Sequence, residues 1–359
     1  MEFHQVLVSA SPGDAITNAA FELRALLRRV GTSEIYARFF DDSLAHEVLP
    51  LRRYARRRSP HPDEDILLFH ASIGEPEVMS FLKTRPERLV LIYHNISPAG
   101  AFRAHDPAFA GLLEGGRLEL SALRDRVTMA VAVSNFNAEE LRSLGYSDVR
   151  VAPLIVDPRR LHTIPPDPAT EHHLRTKVHG PVVLFVGQLL PHKRPDFLIQ
   201  AYHALVTYHR PDANLVLVGA GRLPTYRQDV QTYLRELNLH NVWLTGAVSD
   251  EQLVAFFRRA DVFVTASEHE GFCVPLLEAM AFGLPVVARS ATAIPETLGG
   301  AGVLLPVEDS PVAMAEVVEC VLSDANLSRA IVAGEVARLR HFDADRARAT
   351  LLSHLLSVA

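Results

Sequence analysis

Cysteine is scarce in this chain, and its scarcity excludes two classes of protein. The 359 residues contain only Cys273 and Cys320, and these form no C-x-x-C pair. A disulfide framework and a cysteine zinc site are therefore excluded, and a reducing compartment is indicated. Long apolar runs are also missing. The longest, such as 181–186, have the length of a strand and cannot span a bilayer.

An excess of positive charge and a leader-like N-terminus are missing as well. The formal net charge of -6 argues against general nucleic-acid binding. The chain enters the apolar run 6–8 without the basic and hydrophobic regions of a signal peptide. We expect a cytoplasmic protein without a nucleic-acid partner, either free or in peripheral contact with the inner membrane face.

What is present is an ordinary enzyme-like composition, 48% hydrophobic and 22% charged, in a chain long enough for two domains. Short β-branched and leucine-rich runs alternate with helical patterns. The runs are 6–9, 66–70, 89–94, 127–134, 182–187, 214–219, 242–245, 262–266 and 285–289. This alternation predicts an α/β fold in which helices cover both faces of parallel sheets.

A proline-rich stretch without clear periodicity divides these runs into two groups. It predicts Rossmann-like, doubly wound domains at 1–157 and 180–341, with a linker at 158–179 between them. The last segment, 342–359, has the pattern of one amphipathic helix. Ligands of open α/β sheets bind outside the carboxyl ends of the strands, so we expect both domains to point these ends at a shared cleft.

The most informative stretch, 261–287, reads as strand, loop, helix, glycine stop and strand. Pro275 suits the first turn of the helix and Gly283 its end. The loop around Glu270 thus precedes a helix N-terminus, where backbone N–H groups and the dipole favour an anion such as a diphosphate. Glu270 could then bind sugar hydroxyls and Glu278 a ribose diol. A solvated Glu270 and a Glu278 that only complements the dipole are equally compatible with the residues.

A second cluster follows the strand 182–187, where Gly187 and Gln188 lead into Lys193 and Arg194. Lys193 could stabilise the charge on a departing phosphate, although composition alone favours a surface lysine. In the first half, Gly13 follows the first strand, and His70 and His94 end two others. The two histidines could line the cleft or be packed or solvent-facing side chains.

The twenty residues 267–286, Ser-Glu-His-Glu-Gly-Phe-Cys-Val-Pro-Leu-Leu-Glu-Ala-Met-Ala-Phe-Gly-Leu-Pro-Val, resemble the signature of family 4 glycosyltransferases. The similarity extends across the second half of the chain, over 185–296. The resemblance implies the GT-B fold, a C-terminal helix that returns to the N-terminal domain, and a nucleotide-diphosphate sugar donor. It also implies retention of anomeric configuration and no required metal.

The resemblance also implies roles for single residues. Glu270 would contact the donor sugar and Glu278 its ribose, and Lys193 falls on the family's diphosphate-binding lysine. His94 would orient the sugar. The further donor-binding positions implied are Gly13, Gly187, Gln188, Gly219, Val248, Gly271, Phe272 and Cys273.

Gln188 departs from the family pattern Gly-Arg-x4-Lys, because it stands where the arginine is usual. Its amide can bind a phosphate but brings no charge, and the adjacent Arg194 could compensate. A basic run, which comprises Arg52, Arg53 and 56–58, could attract an anionic lipid or a phosphorylated acceptor. A solvated helix face is the favoured explanation of this run.

Together these features predict a retaining hexosyltransferase with Lys193, Glu270 and His94 as catalytic residues. It would move a hexose from UDP- or GDP-hexose to a hydroxyl of a glycan, a lipid-linked or a small-molecule acceptor, as in polysaccharide biosynthesis. Two alternatives stay open. One is a catalytically weak partner that binds nucleotide sugar, which Gln188 favours. The other is a GT-B sugar-nucleotide epimerase, which the glutamate motif disfavours.

Overall fold

A computed structural model describes residues 1–57 and 59–358 of the chain. These residues form two compact units. The first comprises Met1–Arg103, Pro107–Val156 and Asp343–Ala359, and the second comprises Ala104–Asp106 and Asp157–Phe342. Each unit contains its own parallel sheet.

The first unit is built on a seven-stranded sheet with the order β3-β2-β1-β4-β5-β6-β7. The strands are β1 Glu2–Ala10, β2 Thr32–Phe40, β3 Val48–Pro50, β4 Ile66–Ala71, β5 Arg88–Tyr93, β6 Val127–Ala132 and β7 Val149–Val151. Its helices are α1 Ala15–Leu27, α2 Leu51–Ala55, α3 Pro76–Thr84, α4 Pro107–Leu123, α5 Asn135–Ser143 and the last helix of the chain, α14 Ala344–Leu356. The central strands are largely apolar because both of their faces are covered, and the buried His4, Gln5 and His70 are exceptions.

The second unit has a six-stranded sheet with the order β10-β9-β8-β11-β12-β13. The strands are β8 Val182–Val186, β9 Asn214–Val218, β10 Val242–Gly246, β11 Val262–Thr265, β12 Val286–Arg289 and β13 Val303–Leu305. The helices are α6 Pro168–Lys177, α7 Pro195–Tyr208, α8 Pro224–Glu236, α9 Asp250–Arg259, α10 Val274–Ala281, α11 Ile294–Leu298, α12 Pro311–Ser323 and α13 Ala325–Leu339.

Both sheets have the strand order of the Rossmann fold. In this order, the second and third strands lie on one side of the first strand, and the later strands lie on its other side. The reversal point, where the chain changes sides, lies between β1 and β4 in the first sheet and between β8 and β11 in the second. Loops on either side of such a point leave the sheet in opposite directions, which opens a crevice at the carboxyl ends of the strands. The predicted α/β class with two parallel sheets is confirmed.

The last helix belongs to the first unit through its apolar face. Leu351 and Leu355 lie in one buried cluster with Phe3, Leu27 and Val90 of that unit. Asp343 caps the helix, because its side chain accepts a hydrogen bond from the amide of Arg346. None of the helices in the described part of the chain is long and apolar enough to span a membrane.

The stretch 158–179 differs from the irregular linker that its prolines predict. It contains α6 and belongs to the second unit. Asp167 caps α6 by accepting from the amide of Thr170, and Pro168 occupies the first turn. Only Leu174 of this helix is buried, so its sequence has almost no apolar periodicity. The capping residue Asp167 and the following Pro168 are therefore the features of the sequence that indicate this helix.

The basic run lies on and after α2. The side chains of Arg52, Arg53 and Arg56 are exposed, whereas Arg57 forms an ion pair with Glu2. Arg58, the remaining member of the run, lies outside the described residues.

Candidate donor site

Lys193 and Glu270 meet at the reversal point of the second sheet. Lys193 lies in the loop after β8 and Glu270 in the loop after β11, the strand next to β8. The amide of Glu268 donates to the carbonyl oxygen of His192 at 2.8 Å and ties the two loops together. As a result, Lys193 Nζ lies 2.7 Å from both carboxylate oxygens of Glu270. Two residues that are far apart in sequence thus form one charged pair at the carboxyl ends of the strands.

Lys193 keeps its positive charge in this setting. Burial by itself would lower the pKa of its ammonium group, but the carboxylate of Glu270 outweighs burial and raises the pKa. The side chains are 20% and 9% exposed, so the pair is only partly screened by water. A fixed cation with partial access to solvent can bind an entering phosphate group.

The loop that carries Glu270 is held by the segment before α11. The amide of Glu270 donates to Thr292 Oγ1 at 2.8 Å, and Thr297 Oγ1 donates to the carbonyl oxygen of Phe272 at 2.5 Å. Cys273 has a left-handed backbone, with φ of 70°, directly before α10 begins. Gly271 is half-buried in this loop and lies outside that left-handed region. The helix N-terminus therefore stands on a preformed turn beside Lys193, where it can attract an anion.

Glu278 lies one turn into α10 and is half-buried. Burial raises the pKa of its carboxyl group to about 7, against the opposing influence of Arg160. Arg160 itself is bound to Asp250 at 2.8 Å. At neutral pH, Glu278 is therefore poised between a protonated and an ionised form, and hydroxyl groups that donate to the carboxylate would favour the ionised form.

Three glycines end the neighbouring strands β8, β9 and β10. The amide of Gly187 donates to the carbonyl oxygen of Val218, and the amide of Gly219 donates to that of Gly246, at 2.9 and 3.0 Å. A Cβ atom on Gly219 would overlap the carbonyl oxygen of Gly187, and its φ of 146° is one that other residues rarely adopt. The backbones approach each other closely here, and only glycine fits.

The loop after β10 leads directly into α9. Val248 is half-buried in this loop, and Ser249 caps the helix in a reciprocal box with Gln252. The cap fixes the backbone that follows Val248, which suits contacts made through main-chain atoms.

Arg194, which could compensate for the arginine that Gln188 replaces, is engaged by two carboxylates. Its guanidinium binds Asp196 at 2.9 to 3.0 Å and also forms an ion pair with Glu268. Both carboxylates compete with any phosphate for this group. Compensation for Gln188 by Arg194 would therefore require a phosphate to displace these carboxylates.

In the first unit, the predicted residues lie at the carboxyl ends of β1 and β5. Gly13 follows β1 and has a φ of 73°, a backbone conformation that favours glycine. The space around it is open, so steric crowding does not require glycine here. His94 follows β5 and is half-buried. Its Nε2 lies 2.8 Å from Nδ1 of His70, which is buried at the end of β4.

Gln5 is the residue that sequence reasoning missed. It is completely buried in β1, and its side-chain oxygen lies 2.9 Å from Nε2 of His70. A buried glutamine within the apolar run of β1 is the signal that could have indicated a polar partner, since buried amides are nearly always hydrogen-bonded.

No group of three or more histidine, cysteine, aspartate or glutamate side chains within 1–57 and 59–358 is arranged to hold a metal ion.

Solved structures resemble this fold over almost its whole length. The structure of Anabaena HepE in complex with UDP and glucose has a TM-score of 0.78 at 16% identity, covering 99% of this chain and 100% of that one. The structure of WaaG, a glycosyltransferase involved in lipopolysaccharide biosynthesis, has a TM-score of 0.74 at 13% identity, covering 97% and 98%. The chain therefore has the GT-B fold, as its sequence predicts.

The sequence of the second unit is similar to one protein family. Residues 170–335 match the model of the family described as glycosyl transferases group 1. Lys193, Glu270 and Glu278 all lie within the matched residues.

Curated relatives carry related names. O-antigen chain mannosyltransferase B of Escherichia coli is 29% identical over 254 residues, which cover 68% of this chain and 64% of that protein. D-inositol 3-phosphate glycosyltransferase of Xylanimonas cellulosilytica is 32% identical over 238 residues, which cover 62% and 55%. The chain thus spans less than two thirds of the length of these two relatives.

Proposed function

We propose that this chain is a retaining hexosyltransferase whose second unit binds a nucleotide-diphosphate sugar. The observation that carries the proposal is the Lys193–Glu270 pair at the strand ends beside the N-terminus of α10. In the absence of a donor, the two charges satisfy each other. A diphosphate would compete for Lys193, and Glu270 would then be free to accept hydrogen bonds from sugar hydroxyls.

In the proposed reaction, the bond between the anomeric carbon and the diphosphate oxygen breaks, and its electron pair leaves with the diphosphate. Lys193 and the N-terminus of α10 stabilise the developing negative charge. The acceptor hydroxyl forms the new bond to the anomeric carbon on the face from which the diphosphate departs, and its proton passes to the leaving phosphate. Glu270 positions the sugar and His94 orients it. No protein side chain is bonded to the sugar at any stage.

Glu278 is proposed to bind the ribose, and the backbone around Val248 the base. The phosphate-facing backbone would come from Gly187, Gly219, Gly271, Phe272 and Cys273, with Gln188 as a neutral phosphate ligand and Gly13 as a contribution from the first unit. UDP- and GDP-hexoses are the candidate donors. HepE is described as bound to UDP and glucose, and one relative from Corynebacterium glutamicum is named as GDP-mannose-dependent.

The acceptor is proposed to be a hydroxyl of a glycan, a lipid-linked or a small molecule, bound by the first unit. Several relatives are named for transfer to such compounds, among them an O-antigen chain and a phosphatidylinositol monomannoside. The reaction is proposed to need no metal, because Lys193 and the helix N-terminus supply the positive potential.

The direct test compares Lys193→Ala with Lys177→Ala. Lys177 is an exposed lysine at the end of α6 and serves as the matched control. We expect kcat for sugar transfer to fall by about 100-fold or more in Lys193→Ala, the loss typical of removing a preorganised charge from a reaction site. Lys177→Ala should keep wild-type kcat. Equal activity of the two variants would refute the proposal.

Labelling of lysines offers a test that needs no acceptor. The chain has three lysines, Lys83, Lys177 and Lys193, so an amine-reactive reagent can be mapped to each by mass spectrometry. A bound nucleotide diphosphate should protect Lys193 and leave the other two unchanged. Uniform labelling with and without nucleotide would contradict a diphosphate site at Lys193.

A second candidate function is nucleotide-sugar binding with little catalysis, as a partner of an active transferase. It is favoured by Gln188 together with the engagement of Arg194 by two carboxylates. The variant Gln188→Arg separates the two functions. A weak protein should gain transfer activity about tenfold or more when the charge is added, whereas an efficient transferase should change little or lose activity. The assay is transfer by the purified chain alone.

A further inference from the structure

Two buried polar residues, Gln5 and His70, form a hydrogen-bonded chain that ends at the half-buried His94. Gln5 and His70 are 0% and 2% exposed. They are joined to His94 by contacts of 2.9 Å, from Gln5 Oε1 to His70 Nε2, and 2.8 Å, from His70 Nδ1 to His94 Nε2. Such a chain of polar groups is costly to bury unless every member is satisfied, and its satisfaction fixes where each proton lies.

The side-chain amide of Gln5 is oriented by the backbone of α1. Gln5 Nε2 lies 3.1 Å from the carbonyl oxygen of Ala20 in α1, and a carbonyl oxygen can only accept. The amide nitrogen of Gln5 is therefore the donor there, which leaves Gln5 Oε1 as the acceptor toward His70. Nε2 of His70 must then carry a proton and donate it to Gln5.

The proton on His70 Nε2 in turn determines the protonation of the two rings. Burial lowers the pKa of His70 well below its ordinary value, so this ring is neutral, and its Nδ1 has a lone pair. Nε2 of His94 must donate to that lone pair. The ring planes are within 13° of each other, with centroids 5.1 Å apart, so the shared proton lies close to both planes.

Burial also lowers the pKa of His94 to about 4, and its ring is therefore neutral at physiological pH. With Nε2 protonated, Nδ1 of His94 keeps its lone pair. This nitrogen has no hydrogen-bond partner among the residues that the structure describes. His94 thus presents a hydrogen-bond acceptor, and not a donor or a cation, to any ligand at the end of β5.

We propose that Gln5 and His70 are positioning residues that lock His94 in the Nε2–H tautomer, so that its Nδ1 accepts a hydrogen bond from a hydroxyl of a ligand bound at the end of β5. The proposal deepens the proposed function and rests on it for the identity of the ligand. The locking itself follows from the contacts of Gln5 and His70 alone. A fixed tautomer removes the need to reorganise the ring when the ligand binds.

The tautomer can be measured directly in the wild-type protein by ¹⁵N NMR of histidine-labelled chain near neutral pH, with His94→Gln to identify the signal. We expect a protonated Nε2 and an unprotonated Nδ1. A protonated Nδ1, a cationic ring or a mixture of tautomers would overturn the locking. This result does not depend on sugar transfer, so it is separate from a failure of the proposed function.

Variants then test the positioning role. Gln5→Met removes the acceptor for His70, and we expect mixed tautomers at His94 with kcat lowered roughly fivefold to tenfold, the worth of one hydrogen bond. In His70→Asn, the side-chain oxygen of asparagine can take the place of His70 Nδ1 as the acceptor for His94. The kcat of this variant should therefore stay within about threefold of wild type. Altered tautomers in Gln5→Met with unchanged kcat would overturn the role in the reaction.

His4 supplies the matched control. It is a buried histidine next to Gln5 in β1, 2% exposed, and it packs against Tyr36 and Tyr54 instead. Like Gln5→Met, His4→Asn changes a buried polar side chain of β1. We nevertheless expect the His94 tautomer to stay unchanged in His4→Asn. A change equal to that in Gln5→Met would mean that the tautomer reports general loosening of the sheet, and would overturn the specific lock.

Discussion

Glu278 is proposed to bind the ribose, and its carboxyl group has a shifted pKa that can be measured. Burial raises the pKa of its carboxyl group to about 7. A ribose diol donates two hydrogen bonds to an ionised carboxylate more strongly than to a protonated one. We therefore expect the Kd for the nucleotide diphosphate to fall as the pH rises from about 6 to about 8, across the pKa of this group. Isothermal titration calorimetry of Glu278→Gln should show weaker and flatter binding. The same pH slope in the variant would contradict this assignment.

The same carboxyl group predicts how stability depends on pH. Its pKa is higher in the folded chain than its ordinary value of 4.5, so the folded state binds more protons than the unfolded state. Its contribution to stability is fully present below that ordinary value and is lost as the pH rises through about 7. At pH 8, the free energy of unfolding of Glu278→Gln, measured with urea, should therefore exceed that of wild type by on the order of 2 kcal/mol. At pH 4, the two proteins should be equally stable. An equal difference at both pH values would contradict the shift.

At the scale of single residues, the sequence predicts the local motif but not the long-range contacts. The positions of Glu270 and Glu278 follow from one strand, one loop and one helix that adjoin in sequence. The pairing of Gln5 with His70 depends on the register of β1 against β4, in which Leu7 lies opposite His70. No local pattern fixes that register. The engagement of Arg194 by Asp196 and Glu268 was equally invisible to sequence reasoning.

Among the elements, the strand ends β8 and β9 depend on glycine most strictly. Gly219→Ala would place a Cβ against the carbonyl oxygen of Gly187 at a φ of 146°. We expect it to destabilise the second unit by about 3 kcal/mol or more and to abolish nucleotide binding. Gly111→Ala is the control, because Gly111 lies inside α4 with open space around it. It should stabilise the protein by up to about 1 kcal/mol. Similar urea midpoints for both variants would refute the steric account.

The strands that sequence predicted are those with continuous apolar runs, such as β4, β8 and β9. Sequence missed β2, in which the charged Glu34 and Arg38 interrupt the apolar pattern. It also missed β3, β7 and β13, which have three residues each. So short a strand lacks any periodicity of its own and forms because a neighbouring strand offers its edge. The helix α6 was missed for the same physical reason, since one buried leucine sets no pattern.

For the whole molecule, the last helix links the end of the chain to the first unit. Leu355 is fully buried in the cluster that includes Phe3 and Leu27. Leu355→Ala should destabilise that unit by about 2 to 5 kcal/mol, the cost of deleting a buried leucine side chain. Hydrogen exchange should accelerate in segments of the first unit, such as β1 and α1, and stay unchanged in β8 and β11. Uniform acceleration across both units would contradict the assignment of α14 to the first unit alone.

The central claim is that the pair Lys193 and Glu270 marks a site for a nucleotide-diphosphate sugar. The most direct measurement is a thermal-shift titration of wild type and Lys193→Ala with UDP, GDP and their hexoses. One nucleotide should raise the wild-type Tm in proportion to its affinity, its sugar should do the same, and both shifts should be lost in Lys193→Ala. Identical shifts in the two proteins, or no shift at millimolar concentrations of any of these ligands, would contradict the claim.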